Sequence, residues 1–147
     1  MNEEIKNIVE PEKNFDELKR SFGSLDDKSV THGLLTEKVF LYSIEGEDLV
    51  NIRIDQINTS HLKDAALFRI AKIYFEQKKD VENALKKANE ITNNEERIRC
   101  LVHLAVSVLK TENDISLADS IIERINTEND KQNYLKYYKE IRDQIGK

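Results

Sequence analysis

The sequence predicts an all-α fold built from antiparallel helix pairs. Only one proline and four glycines interrupt 147 residues, which disfavours a turn-rich all-β fold. An apolar share of 39% beside a charged share of 35% suits helices with much solvated surface. The third observation is a pattern of apolar residues that recurs after 34 residues, and it sets the organisation of the whole chain.

The repeat is visible when the chain is shifted by 34 residues without a gap. The matched pairs are Leu67 with Leu101, Ile70 with Leu104, Ala71 with Ala105, Asp80 with Asp114, Ala84 with Ala118 and Ile91 with Ile125. A period in this range is typical of solenoids, in which each unit buries its apolar face against its neighbours.

Each unit contains two predicted helices, which we name helix A and helix B. Residues Leu67, Ile70, Ala71 and Tyr74 follow the i, i+3, i+4, i+7 spacing of helix A. Asp80 and Asp114 stand where helix B should begin, because an Asp side chain accepts hydrogen bonds from the first free backbone amides. The recurring alanines mark places where helices A and B approach closely.

Capping pairs separate the units. Asn93 with Glu96, and Thr127 with Asp130, have the three-residue spacing of a capping box, so helix A should restart near residues 95 and 129. We therefore predict repeats over 61–92 and 95–126. Residues 129–146 form one amphipathic helix that caps the array, with three tyrosines that cover apolar surface and keep their hydroxyls hydrated.

The N-terminal part is more divergent. Residues 39–54 fit either a β-hairpin around "EGED" or helices, and the 34-residue register favours helices. A short helix is predicted from Asn14, which forms a capping pair with Glu17, to a stop near Gly23. Residues 1–12 read as a mobile acidic tail, and 13–147 as a single helical-repeat domain in which 13–58 holds the divergent helices.

The stretch "IAKIYFEQKKDVENALKKA" resembles the tetratricopeptide repeat and related α-solenoids, and the resemblance covers residues 61–125. It implies a short right-handed α-solenoid whose A helices line a concave groove. In this family the groove binds a segment of another protein.

The resemblance also implies which side chains face the groove. They are Phe68, Arg69, Lys72 and Phe75 from one unit, with Arg99, Val102, His103 and Val106 from the next. Apolar anchors beside basic residues suit a partner segment that carries a hydrophobic residue and acids. The family's grip on a C-terminal carboxylate needs basic and Asn side chains where this chain has Phe68, Val102 and Val106, so that mode is disfavoured.

Charge and composition exclude several partners. The net charge is −5, with thirteen acidic and seven basic residues in 1–60, so neither nucleic acid nor a membrane is expected as a partner. The chain has no apolar run of membrane-spanning length, and its start lacks the apolar core of a signal peptide. With a single cysteine it fits the cytoplasm. A secretion route that uses no hydrophobic signal could not be recognised from these sequence features.

The sequence holds little that indicates chemistry. Cys100 and His103 could supply half of a metal site or a thiol nucleophile, but no further ligands or base are spaced to join them. We expect no cofactor, no metal and no enzymatic activity. The expected function is a protein-binding adaptor, chaperone or inhibitor, and the alternative is a homodimer or larger homo-oligomer that stacks through the C-terminal helix.

Overall fold

The computed structural model describes residues 11–125 and 132–145, and every regular element within these ranges is an α-helix, which confirms the all-α prediction. The helices are α1 (Pro11–Ser24), α2 (Asp27–His32), α3 (Leu34–Tyr42), α4 (Ile44–Asp55), α5 (Ser60–Glu76), α6 (Val81–Asn89), α7 (Asn94–Glu112), α8 (Ile115–Glu123) and α9 (Gln132–Ile145). Their contacts divide the chain into two compact units, and the division falls within α5, between Ala66 and Leu67.

The first helix begins earlier than the sequence predicted. Helix α1 starts at Pro11, so the last two residues of the predicted tail are helical, while residues 1–10 lie outside the described ranges. Proline favours the first helical position because its fixed φ suits a helix and its missing N–H is not needed there. Asn14 is consequently inside the helix, and the prediction that it caps the N-terminus is wrong. The predicted stop near Gly23 is confirmed, since α1 ends at Ser24.

Residues 39–42 and 44–54 are helical, with Ser43 as the cap between the two helices, so the register's indication of helices is confirmed and the hairpin alternative is wrong. Sequence reasoning missed α2, which is capped by Asp26 through a 2.8 Å hydrogen bond from the Ser29 amide. Gly33 separates α2 from α3, and a Cβ there would lie only 2.8 Å from the Ser29 carbonyl oxygen.

The unit that ends at Ala66 is built around the contact of α4 with α3. Val50 and Ile54 on one side of α4 are buried. At Gly46 the two backbones meet so closely that a Cβ would stand 2.0 Å from the carbonyl oxygen of Val39. A glycine is needed at this crossing because any side chain would push the helices apart.

The two joints between paired helices in the second unit share one feature although their lengths differ, since residues 77–80 join α5 to α6 and residues 113–114 join α7 to α8. Lys79 and Asn113 both adopt left-handed backbone conformations, with φ of 56° and 53°. The next residue caps the following helix in each case: Asp80 accepts from the Asn83 amide at 3.0 Å, and Asp114 from the Leu117 amide at 2.9 Å. Both predicted Asp caps are confirmed.

Several bounds of the helices recur at the 34-residue interval of the sequence repeat. The ends of α8 are those of α6 moved by 34 residues, and the start of α7 is that of α5 moved by 34. Asn93 caps α7 by accepting a 2.9 Å hydrogen bond from the Glu96 amide, as predicted. The other predicted capping pair, Thr127 with Asp130, lies outside the described residues.

Helix α7 is the centre of the second unit. Helices α6, α8 and α9 all pack on it. It is therefore apolar around much of its circumference, as expected for a helix enclosed by others. Its buried residues are Ile98, Cys100, Leu101, Val102, Leu104, Ala105, Val106, Val108 and Leu109.

Helix α9 is attached to α8 by a polar network. The Tyr138 hydroxyl donates to Asp119 Oδ1 at 2.6 Å, and the Arg142 guanidinium donates to both oxygens of the same carboxylate at 3.0–3.3 Å. These bonds, first that from Arg142, hold the pKa of Asp119 below its ordinary value, while burial and the adjacent carboxylate raise the pKa of Tyr138. A cleft of about 370 Å³ beside this network is lined by residues of α8 and α9.

The alanines at the helix joints should not tolerate enlargement. Ala118 is completely buried, so Ala118→Leu should overpack the contact of α8 and lower the free energy of unfolding by about 1–3 kcal/mol. Urea denaturation measures the loss. Ala65→Leu, at an exposed position of α5, is the control and should change stability little; equal losses in both variants would contradict close packing at Ala118.

The Asp119 network should make the attachment of α9 sensitive to acid. Because the folded-state pKa of Asp119 is lowered, its contribution to stability is present above about pH 4 and is lost as the pH falls through that lowered pKa. Asp119→Asn should lower the thermal midpoint at pH 7, and the difference from wild type should shrink below about pH 4.

Thermal unfolding followed by circular dichroism between pH 7 and pH 2 tests this, with Glu140→Gln on the exposed side of α9 as the matched control. A difference between Asp119→Asn and wild type that stays constant down to pH 2 would show that the carboxylate charge is not what matters.

Candidate protein-binding surface

Helix α5 presents a polar and aromatic face in the second unit. Phe68, Lys72 and Glu76 are spaced by four residues, so they lie along one side of the helix. Phe68 and Lys72 are half-buried and Glu76 is exposed. Three side chains of different chemistry therefore share a surface that solvent still reaches.

Two side chains of α7 meet Phe68. Arg99 places its guanidinium carbon 5.3 Å from the centre of the Phe68 ring, and the His103 ring lies 5.8 Å away in a tilted arrangement. A cation over an aromatic face contributes about 0.5–1 kcal/mol at an exposed site. Arg99 also donates a 2.5 Å hydrogen bond to Glu96, one turn earlier on α7. This local pair orients the guanidinium above the ring.

Helix α9 adds two tyrosines. Tyr134 and Tyr137 line a groove of about 380 Å³ together with Arg99, Val102 and His103. The Tyr134 hydroxyl donates to Glu95 at 3.3 Å, whereas Tyr137 leaves 47% of its surface exposed. We call the combined set the helix A surface, and it consists of Phe68, Lys72, Glu76, Arg99, His103, Tyr134 and Tyr137.

His103 has a buried ring nitrogen without a hydrogen-bond partner. Its Nε2 atom is buried, has no hydrogen-bond partner, and lies 3.9 Å from the nearest carboxylate oxygen of Glu76. Burial lowers the pKa of His103, and the positive charge of Lys72 lowers it further, while Glu76 opposes both effects. The lowered pKa favours the neutral imidazole at pH 7.

The structure brings four of the eight predicted groove residues together: Phe68, Lys72, Arg99 and His103. Arg69 is half-buried on α5. The remaining three are core residues with at most 6% exposure, namely Phe75, Val102 and Val106. Helices packed on several sides of α7 enclose the two valines. Only a small part of the Val102 surface reaches the groove.

Sequence reasoning missed two parts of the surface. Glu76 was passed over because one acid among 28 carries no signal by itself. The tyrosines of α9 were expected to cover apolar surface, and Tyr138 does so with 3% exposure. Their i, i+3 spacing could have indicated that Tyr134 and Tyr137 share a second face.

Cys100 is completely buried in the core of the second unit. Burial raises the pKa of its thiol to about 12, so the thiolate that nucleophilic chemistry requires is scarce at pH 7. Within residues 11–125 and 132–145, no three His, Cys, Asp or Glu side chains are grouped so that they could hold a metal ion. Over the same ranges no helix combines the length and apolar character needed to cross a membrane.

Comparison of the chain with protein-family models, curated proteins and solved structures found no match. The helix A surface must therefore be interpreted from its own chemistry.

The environment of His103 predicts its titration. Its midpoint should lie below the ordinary value of about 6.5, and Glu76→Gln should lower it further because the variant removes the carboxylate that favours the imidazolium. The pKa of His103 is higher in the unfolded state than in the folded state, so the unfolded state binds the proton at a higher pH. The free energy of unfolding should therefore fall as the pH drops below about 6.5.

The measurement is an NMR titration of the histidine ring protons, with the His103 signals assigned from their loss in His103→Gln. Glu82→Gln on α6 removes an exposed acid and is the control. A midpoint at or above the ordinary value, or one that Glu76→Gln leaves in place, would contradict this description of the environment.

Proposed function

We propose that this protein is a non-enzymatic protein-binding module, such as an adaptor, chaperone or inhibitor, that holds a segment of another protein on the helix A surface. The observation that carries the proposal is the meeting of Phe68 from α5 with Arg99 and His103 from α7, at 5.3 Å and 5.8 Å, beside a groove lined by tyrosines. Aromatic and Arg side chains of this kind contribute most of the free energy in protein interfaces.

The repeated helix joints support a tetratricopeptide-like array as the framework. A left-handed residue followed by an Asp cap occurs at 79–80 and again at 113–114, and the bounds of α6 recur in α8 after 34 residues. In this proposal α5, α7 and α9 are the A helices, and their side chains line the binding groove.

The chemistry of the surface indicates what the partner segment carries. Tyr137 and the Phe68 ring offer apolar contact, and Arg99 and Lys72 lie within reach of a carboxylate. Arg99 already contacts Glu96, but a guanidinium has five donors in a fixed fork and can bind a second carboxylate. We therefore expect a segment with an aromatic or large aliphatic residue followed closely by Asp or Glu.

The test is selection from a displayed library of random 12-residue peptides. Enriched peptides should combine an apolar anchor with an acid, and Lys72→Gln/Arg99→Gln should weaken their binding about tenfold or more, which corresponds to about 1.4 kcal/mol. Calorimetry or fluorescence anisotropy with synthetic peptides gives the dissociation constants. The weakening should diminish at high salt because salt screens exposed charges.

Lys86→Gln/Lys110→Gln is the matched control, since both lysines are exposed in the same unit and neither belongs to the helix A surface. The proposal would be wrong if the wild type and both double variants bound the selected peptides equally well. So would a selection that enriches nothing, provided that circular dichroism shows the protein to be folded.

A further inference from the structure

The outward side of α4 combines exposed apolar residues with acids. Ile44 and Ile52 leave 78% and 55% of their surface exposed, and Asp48 lies midway between them. With Glu45 and Asp55 these residues occupy an arc of about 100° on the helix. We call this set, Ile44, Glu45, Asp48, Ile52 and Asp55, the α4 outer face.

The packing of α4 keeps this face outward. Gly46, Val50 and Ile54 are buried on the opposite side of the helix. At Gly46 the helix is pressed against the backbone of α3, with a virtual Cβ only 2.0 Å from the Val39 carbonyl oxygen. Rotation of α4 that buried Ile44 would replace Gly46 at this crossing by a residue with a larger side chain. Ile44 and Ile52 therefore remain on the outer side of the helix.

The corner before α4 carries two more exposed apolar residues. Leu41 and Tyr42 are 38% and 37% exposed, and they precede Ile44 by three and two residues. The chain length between them limits their Cα separations from Ile44 to about 11 Å. Exposed apolar residues that lie close together and are rimmed by polar ones are typical of interaction sites.

The charges on the face select the class of partner. Glu45, Asp48 and Asp55 are exposed, and Lys19 and Lys63 contact two of them at 3.0 Å and 4.0 Å without covering the isoleucines. A symmetric dimer through this face would bring the same acids of both copies together, because a two-fold interface apposes identical patches. A partner with positive charge avoids that repulsion.

We propose that the α4 outer face binds a basic amphipathic helix of another protein. Ile44 and Ile52 are two turns apart, about 12 Å along the helix, so they match apolar residues at i and i+7 or i+8 of the partner. Lys or Arg on either side of that stripe would pair with Glu45, Asp48 and Asp55. This partner chemistry is opposite in charge to the one expected at the helix A surface, and the two sites can fail independently.

The probe is a labelled 18-residue amphipathic helix of Lys and Leu. Two peptides of the same pattern serve as comparisons, one with Ser in place of Leu and one with Glu in place of Lys. Fluorescence anisotropy at about 0.15 M salt measures binding to the 147-residue chain. The Lys–Leu peptide should bind at least tenfold more tightly than either comparison peptide. Equal binding of the Lys–Ser peptide would show charge attraction alone and overturn the proposal.

The protein variants locate the site. Ile44→Gln/Ile52→Gln and Asp48→Lys should each weaken binding of the Lys–Leu peptide at least tenfold. Leu34→Gln, which changes an apolar residue with 69% exposure on α3, should leave it unchanged. Circular dichroism verifies that all variants stay helical.

Three further outcomes overturn the proposal: no binding of the Lys–Leu peptide, binding that both α4 variants retain, or a dimer of the protein alone that Ile44→Gln/Ile52→Gln dissolves in sedimentation experiments. The last result would assign the face to a second copy of this chain.

Discussion

The geometry of the second unit depends on how each pair of helices is joined. In both joints a left-handed residue stands immediately before an Asp, and that Asp side chain accepts a backbone hydrogen bond that starts the next helix. With a longer or undirected turn, Ala84 and Ala118 would have no fixed position against their partner helices. The buried alanines and the side chains displayed on α5 and α7 therefore depend on four residues, Lys79, Asp80, Asn113 and Asp114.

The same two joints explain which parts of the fold could be predicted from the sequence. A cap depends on one side chain and the backbone next to it, so Asp80, Asp114 and Asn93 could be recognised locally. The 34-residue register, extended back toward the N-terminus, then predicted correctly that α4 is a helix, although its local sequence also suited a strand. Helix α2 was missed because a helix of six residues shows too little periodicity. The start of α1 was missed because Asn14 resembles a cap as much as Pro11 resembles a first residue.

Helical periodicity determines the side of a helix on which each side chain lies, and to that extent the candidate site could be predicted from the sequence. The spacing on α5 and α7 placed Phe68, Lys72, Arg99 and His103 on a common side. It could not show that Val102 and Val106 are enclosed, because enclosure depends on how α6, α8 and α9 pack on α7, and that is a tertiary property. The pairing of Arg99 with Glu96, and the buried Nε2 atom of His103, likewise depend on rotamers that no sequence pattern specifies.

The enclosure of α7 also has a consequence for synthesis of the chain. During translation α7 emerges before α8 and α9, so for the time needed to make some thirty further residues it lacks two of the helices that cover it. At a synthesis rate of about 5–20 residues per second this lasts a few seconds. Over that interval the apolar side chains of α7 that α8 and α9 later cover have no partner helix. A ribosome that stalls within this region would present the same surface for as long as the stall continues.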